Sequence, residues 1–238
     1  MKHILLTRFA VRWEEGSPRR RWEEREGWVD YRITLFNKYC LPSVQAQTFK
    51  DFEWWLMVDP TFPGIKLEHI LYLQRCANIL WITASFREDQ VEVGELLNYR
   101  YKDQWVCSSR VDSDDVIRND FMERVHAVAS EEEAWISFRN GYMLKDERIA
   151  PREFLCNPFV SYVEYANPFR SVFRISHKGV YRDATVLKKI EDVPGWIQVD
   201  HADNVKNLVS RKMKYFYSQT IDPLPVYKDF TWNRGDTK

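Results

Sequence analysis

The chain has 238 residues, 45% of them hydrophobic, enough to fill one large α/β core. Lysine plus arginine balance aspartate plus glutamate at 35 each, so the formal net charge is zero and no global basic field gathers nucleic acid. No apolar run approaches the ~20 residues of a membrane span, and the stretch from Met1 to Phe9 meets Arg8 too soon for a signal peptide. Cys40, Cys76, Cys107 and Cys156 lack the C-x-x-C spacing of a zinc or redox site, so reduced, buried thiols in a cytoplasmic protein are expected.

In order, the chain predicts strands alternating with helices. Ile4 to Phe9 is a first strand. Trp13 to Gly27 is a charge-rich loop whose Arg19, Arg20 and Arg21 read either as a solvated face or as a clamp on a bound phosphate. From Trp28, the apolar positions Val29, Ile33, Phe36 and Cys40 recur at helical spacing. Pro42 breaks or kinks that helix, and a short second one covers Ser43 to Thr48. Glu53 to Asp59 is an unalternating run, as in a strand covered on both faces, closed by Pro60 and Pro63-Gly64. Asp59 therefore stands at a strand's C-terminal end, where open α/β sheets bind ligands. Leu67 to Leu73 reads as a helix, Ile79 to Ile82 as a strand, and Val91 to Tyr101 as a helix leading into a strand over Val106 to Val111.

That strand runs into Asp112-Ser113-Asp114-Asp115. Carboxylates at a buried strand end resist desolvation unless partnered. A hard divalent cation, Mn²⁺ or Mg²⁺, carrying a diphosphate is one such partner. The other reading is a turn that caps a helix beginning near Val116, with Ile117, Phe121, Val125 and Val128 on its apolar face. The second half changes character. Trp135 to Arg139 and Tyr142 to Leu144 flank Asn140-Gly141, a hairpin signal. Short strands at Phe159 to Glu164, Ser171 to Ile175 and Trp196 to His201 suggest antiparallel additions to the sheet edge, and the tail beyond Tyr217 reads as surface wrapping. The 10 Trp, 12 Tyr and 14 Phe fit a core better than a stacking site for sugars.

The run Phe36 to Glu53, leading into the strand that ends at Asp59, resembles the opening of family 2 glycosyltransferases of the GT-A fold, and Arg110 to Asp115 looks like their D-x-D motif. Within that fold the chain is most similar to the rhamnosyltransferase group, which has counterparts of Leu6-Thr7-Arg8-Phe9 and of Trp196 to Asn204; the match covers Lys2 to Arg211. Asp200 before His201 and Ala202 after it depart from the group's apolar residue and glycine. The resemblance implies one domain over 1–238 with a GT-A (Rossmann-like) mixed sheet, helices on both faces and an antiparallel C-terminal extension. Residues 1–130 would bind the nucleotide sugar, 131–216 would supply the acceptor site and a metal-ligating histidine, and 217–238 would be the tail.

By the same resemblance, a nucleotide-diphosphate sugar lies over the strand ends. Thr7, Arg8, Phe9, Asp59, Arg110, Asp112 and Asp115 would line it, and Asp112, Asp114 and His201 would hold Mn²⁺ or Mg²⁺. The cation stabilises charge on the leaving diphosphate. In an inverting transfer a carboxylate deprotonates the acceptor hydroxyl, on a glycan or another molecule. Glu164 is the first candidate base, followed by Asp183 and His177. Rival readings are a metal-dependent phosphohydrolase or nuclease, a non-catalytic sugar-binding protein, and a glycosyltransferase acting on DNA bases. The last needs a basic groove, for which Lys188, Lys189, Lys206, Arg211, Lys212 and Lys214 are the candidates.

Overall fold

Strand β1 (Lys2–Ala10) pairs in parallel with β2 (Glu53–Val58) on one side and with β4 (Trp105–Arg110) on the other, and β3 (Asn78–Trp81) continues the parallel set beyond β2. The structure is a computed structural model that describes residues 1–17, 20–85, 88–201 and 226–233. Beyond β4 comes β9 (Ser161–Tyr165), antiparallel to β4 and to β6 (Ala134–Phe138), and β10 (Leu187–Ile190) runs parallel to β6 at the far edge. The seven-stranded order is β10-β6-β9-β4-β1-β2-β3. The antiparallel strand thus lies inside the sheet, between β4 and β6, and not at its edge as the sequence suggested.

Both faces of this sheet are covered. On one face pack α2 (Trp28–Leu35), α3 (Leu41–Gln45), α4 (Leu67–Cys76) and α6 (Phe121–Val128), through Val29, Val44, Leu73, Phe121 and Val125. On the other pack α5 (Asp89–Tyr101) and the segment around Phe169, Val172 and Phe173. Two shorter helices among the described residues are α1 (Arg20–Glu23) and α7 (Val180–Asp183). Pro42 does not break its helix. A π-helical turn over Phe36–Cys40 joins α2 to α3, with Leu41 N–H donating to Phe36 O, so the chain stays helical past the proline. Ser171 to Ile175 is a turn and not a strand: Ser171 has φ 66, which an extended run excludes.

A second, four-stranded sheet has the order β5-β11-β7-β8, from β5 (Val116–Ile117), β11 (Trp196–Val199), β7 (Asn140–Lys145) and β8 (Arg148–Glu153). Asn140-Gly141 is not a hairpin turn. β6 and β7 belong to different sheets, and the true hairpin joins β7 to β8 through Asp146 and Glu147, with φ 45 and 63, as a type I′ turn requires. Gly141 is needed for another reason. A Cβ there would overlap the indole of Trp196, which stacks on Phe159 at 5.2 Å. Gly141→Ala should therefore lower stability by about 2 kcal/mol or more through overpacking. Thermal denaturation checks this, and an unchanged Tm would show that the indole yields freely.

A pH effect is built into the start of β1. His3 is buried, its Nε2 2.9 Å from Nδ1 of His126 on α6, and burial followed by repulsion from His126 pushes its pKa down to about 4. The unfolded chain binds this proton near 6.5, so the contribution is complete above that pH and is lost as pH falls toward 4. At pH 5 the loss is about 2 kcal/mol. Denaturant unfolding at pH 7 and pH 5 should show it in the wild type and not in His3→Phe.

Candidate active site

The four residues Asp112 to Asp115 are the joint between the two sheets. β4 ends at Arg110, Asp115 N–H donates to Asp112 O at 3.1 Å, and the chain re-enters extended structure at Val116 in the second sheet. The turn reading was right about the backbone, but no helix starts at Val116. Asp115, buried, accepts from Val199 N–H at 2.8 Å and so ties the end of β11 to this joint. Burial, then repulsion from Asp114 and Asp112, pushes its pKa well above the ordinary carboxylate range. Its role here is to place β11, and with it His201 two residues on.

His201 Nε2 lies 2.6 Å from Asp114 Oδ2, across 87 positions of sequence, and its Nδ1 lies 3.3 Å from Tyr31 Oη. The same Asp114 oxygen accepts from Arg32 Nη1 at 2.8 Å, while Arg32 Nη2 donates to Ser113 Oγ. Burial would raise the Asp114 pKa, but the Arg32 guanidinium and His201 outweigh it and hold the carboxyl well below its usual range. Arg32 responds in kind: burial disfavours its charge, and Asp114, Asp112 and Asp115 together more than restore it. Asp112 is turned away, with Oδ1 3.3 Å from Arg110 Nη2 and a third of its side chain exposed. Of the three expected metal ligands the structure joins two, Asp114 and His201. Among the described residues no group of three metal-ligating side chains forms. The carboxylate oxygen suits Mn²⁺ or Mg²⁺ and the imidazole nitrogen favours the transition metal of the two, so the pair fits Mn²⁺ as a partial set and the full trio does not form.

Sequence reading missed Tyr31 and Arg32. They follow Trp28 at positions i+3 and i+4 on one side of α2, beside the apolar face that periodicity identified. Arg32 lies 5.6 Å from the Trp28 ring, which stacks on Phe62 at 4.8 Å.

The strand ends beside the joint carry more arginine. Arg8 forms a two-pronged pair with Asp89, Nε to Oδ2 at 2.6 Å and Nη2 to Oδ1 at 3.0 Å, and lies 4.1 Å above the Phe173 ring. Arg110 lies 4.8 Å from the same ring, and burial, opposed by Asp112, lowers its pKa. Thr7 and Phe9 are corrections. Strand alternation puts them on the opposite face from Arg8: Thr7 Oγ1 accepts from buried Trp54 Nε1 at 3.0 Å, and Phe9 packs edge-on to Phe36 at 5.6 Å. Both side chains belong to the core. Asp59 stands just past β2 as expected, but Thr61 N–H and Oγ1 bond its Oδ1 at 2.7 Å each and Arg12 Nε lies 2.7 Å from Oδ2.

Glu164 is a further correction. β9 runs antiparallel to β4, so Glu164 pairs with Val106, four positions and about 13 Å along the strand before Arg110, and farther still from the joint. Its buried carboxylate accepts from Ser171 N–H at 2.7 Å, Arg170 N–H at 3.0 Å and Arg170 Nε at 3.2 Å. Glu164→Gln should unfold more readily yet keep its turnover per folded molecule, measured as product formed against circular dichroism; a folded variant without turnover would restore it as base. Asp183 accepts from Trp135 Nε1 at 3.0 Å and from Arg174. His177 sits in a 3₁₀ turn with its ring 6.1 Å from that of Phe154.

The expected phosphate clamp is only partly visible, because Arg19 lies outside the described residues; Arg20 and Arg21 are in α1, whose Glu23 accepts from Trp13 N–H at 2.8 Å. Lys206, Arg211, Lys212 and Lys214 also lie outside the described residues. Lys188 is engaged by Ser130 Oγ at 2.6 Å and Glu132 at 3.4 Å, so it adds little to a basic groove.

Residues 3–213 match the family described as "Putative rhamnosyl transferase". The chain belongs to that family. Its fold is the GT-A fold, and no curated protein matches it in sequence. Solved structures agree on the fold. TarS from S. aureus, as residues 1–349 in complex with UDP, superposes with a TM-score of 0.52 at 12% identity, over 84% of this chain and 61% of that one. A second TarS structure gives 0.50 at 13% identity, over 84% of this chain and 37% of that one. The rhamnosyltransferase-family chain thus spans less than two thirds of these neighbours. Among its described residues no helix is long and apolar enough to cross a membrane.

Proposed function

We propose that this chain is a glycosyltransferase that moves a sugar, with inversion, from a nucleotide-diphosphate donor to an acceptor hydroxyl, assisted by Mn²⁺ or Mg²⁺. The observation that carries the reading is the meeting of Asp114 and His201 at 2.6 Å, just past the C-terminal end of β4, whose last residue pairs with Leu6 of β1. Ligands bind at strand ends of this kind in open α/β sheets.

Asp114 and His201 would hold the ion, which when bound supplies positive charge against the leaving diphosphate. Arg110 and Arg8, stacked on either contact of Phe173, would bind the donor's phosphates by charge-assisted hydrogen bonds. Asp112, partly exposed beside Arg110, would bond the donor's ribose or sugar hydroxyls. With Glu164 removed, Asp183 is the better-placed base. It is partly exposed and bonds Trp135, which the pairing with Tyr162 puts level with Ser108, two positions before Arg110. It would take the acceptor's proton as the hydroxyl attacks the anomeric carbon. The TarS fold neighbour was crystallised with UDP, which supports a nucleoside diphosphate as the product half of the donor.

The test is a panel of uridine, thymidine and guanosine diphosphate sugars, rhamnose donors included, with Mn²⁺, read by thermal shift and by release of nucleoside diphosphate. One donor should raise Tm and release its diphosphate. Silence from every donor in both readouts would defeat the proposal.

A further inference from the structure

Asp114 Oδ2 already has a cation. Arg32 Nη1 sits on it at 2.8 Å, both side chains are 13% exposed, and Arg32 Nη2 fastens Ser113 in the same turn. His201 Nε2 shares that one oxygen at 2.6 Å. A guanidinium and a divalent ion on one buried oxygen would repel strongly, because a low-dielectric surrounding leaves their field unscreened. A divalent ion held by Asp114 and His201 would meet the guanidinium at close range.

We infer that Arg32 is the resident counter-charge of the aspartate turn, and that it and the divalent ion are alternative occupants of Asp114 Oδ2. The inference rests on the reading of Asp114 and His201 as ion ligands, and deepens it. Arg32 acts as a positioning residue: without the ion its hydrogen bonds to Asp114 and Ser113 keep Asp114 aimed at His201, so the joint between the sheets stays assembled. When the ion arrives, Arg32 gives up the carboxylate. The face of Trp28, 5.6 Å from the guanidinium, is a place where that charge stays favourable. Since Arg32 and Tyr31 both belong to α2, occupation of the turn is transmitted to the helix that follows the charged loop after β1.

Mn²⁺ binding without donor, followed by calorimetry and electron paramagnetic resonance, tests this. Arg32→Met should bind Mn²⁺ about tenfold more tightly than the wild type, since removing a competing charge favours the ion. Arg32→Lys, which keeps the charge, should bind near the wild-type value. Equal or weaker binding by Arg32→Met overturns the inference while leaving the ion site standing. Absence of Mn²⁺ binding from wild type and both variants removes the inference and the ion site together. Should Arg32→Met not fold, the wild-type chain carries the test by nitrogen-15 resonance. The Arg32 Nε–H signal, identified by its loss in Arg32→Lys, should shift as Mg²⁺ is added. If the His201 ring signals shift and Arg32 does not, the ion binds without displacing Arg32 and the inference fails.

Discussion

Asp114→Asn is expected to cut transfer by about a thousandfold, the scale on which lost electrostatic stabilisation at a reacting centre acts, and to lower Tm as well. The substitution keeps the size of the side chain and removes its charge, so on the proposed function the first loss is the grip on a divalent ion. The second loss comes from Arg32, which is 13% exposed and would keep its charge with no carboxylate on it. Breaking a buried pair from one side costs about 3–5 kcal/mol, more than the pair itself contributes. Activity must therefore be read below the lowered Tm, with circular dichroism confirming the fold. The double variant Arg32→Met, Asp114→Asn should recover much of the stability and none of the turnover. Turnover within tenfold of wild type for folded Asp114→Asn would remove Asp114 from the reaction.

Much of the fold was legible because it is written locally. The run Glu53 to Val58 lacks alternation since both faces are covered, and Val29, Phe36 and Cys40 repeat at 3.6 residues because one side of α2 and the following turns faces the sheet. What failed was topology. Glu164 ends an apolar strand just as Arg110 does, and only the antiparallel direction of β9 shows that these two ends lie at opposite poles. Asn140-Gly141 has the right residues for a hairpin, yet Gly141 is there for Trp196, 55 positions later, and no local rule shows that.

The site divides along the same line. Asp114 and Asp115 differ by one position and look interchangeable in sequence, but Asp115 reaches a backbone N–H of β11 while Asp114 reaches Arg32 and His201. The D-x-D-D spacing singled out this strand end because charge at a buried strand end always needs an explanation. It could not say that α2 supplies one: Arg32 is one more arginine in a chain with 35 basic residues, and its partner lies 82 positions away. Family resemblance paired His201 with Asp114 where spacing alone could not.

Asp89→Ala is the second large effect, a loss of about 3–5 kcal/mol, or roughly 10 °C in Tm for a chain of this size. Asp89 is wholly buried in the first turn of α5, and its two oxygens hold Arg8 in a fork that a shorter side chain cannot replace. Phe173 has Arg8 on it at 4.1 Å and Arg110 at 4.8 Å, so the variant would remove the Asp89 carboxylate from a corner where two guanidiniums share one ring. Asp89→Asn keeps an acceptor oxygen and should lose less. The double variant Arg8→Met, Asp89→Leu exchanges the pair for apolar volume and should regain most of the stability. It also separates structure from function. If Arg8 binds the donor's phosphates, the double variant folds and yet binds nucleotide sugar weakly; full donor affinity in that protein would confine the pair to the scaffold. A chemical denaturation curve decides the stability claim, and Asp89→Ala within 1 kcal/mol of wild type would mean that water already reaches this corner and screens it.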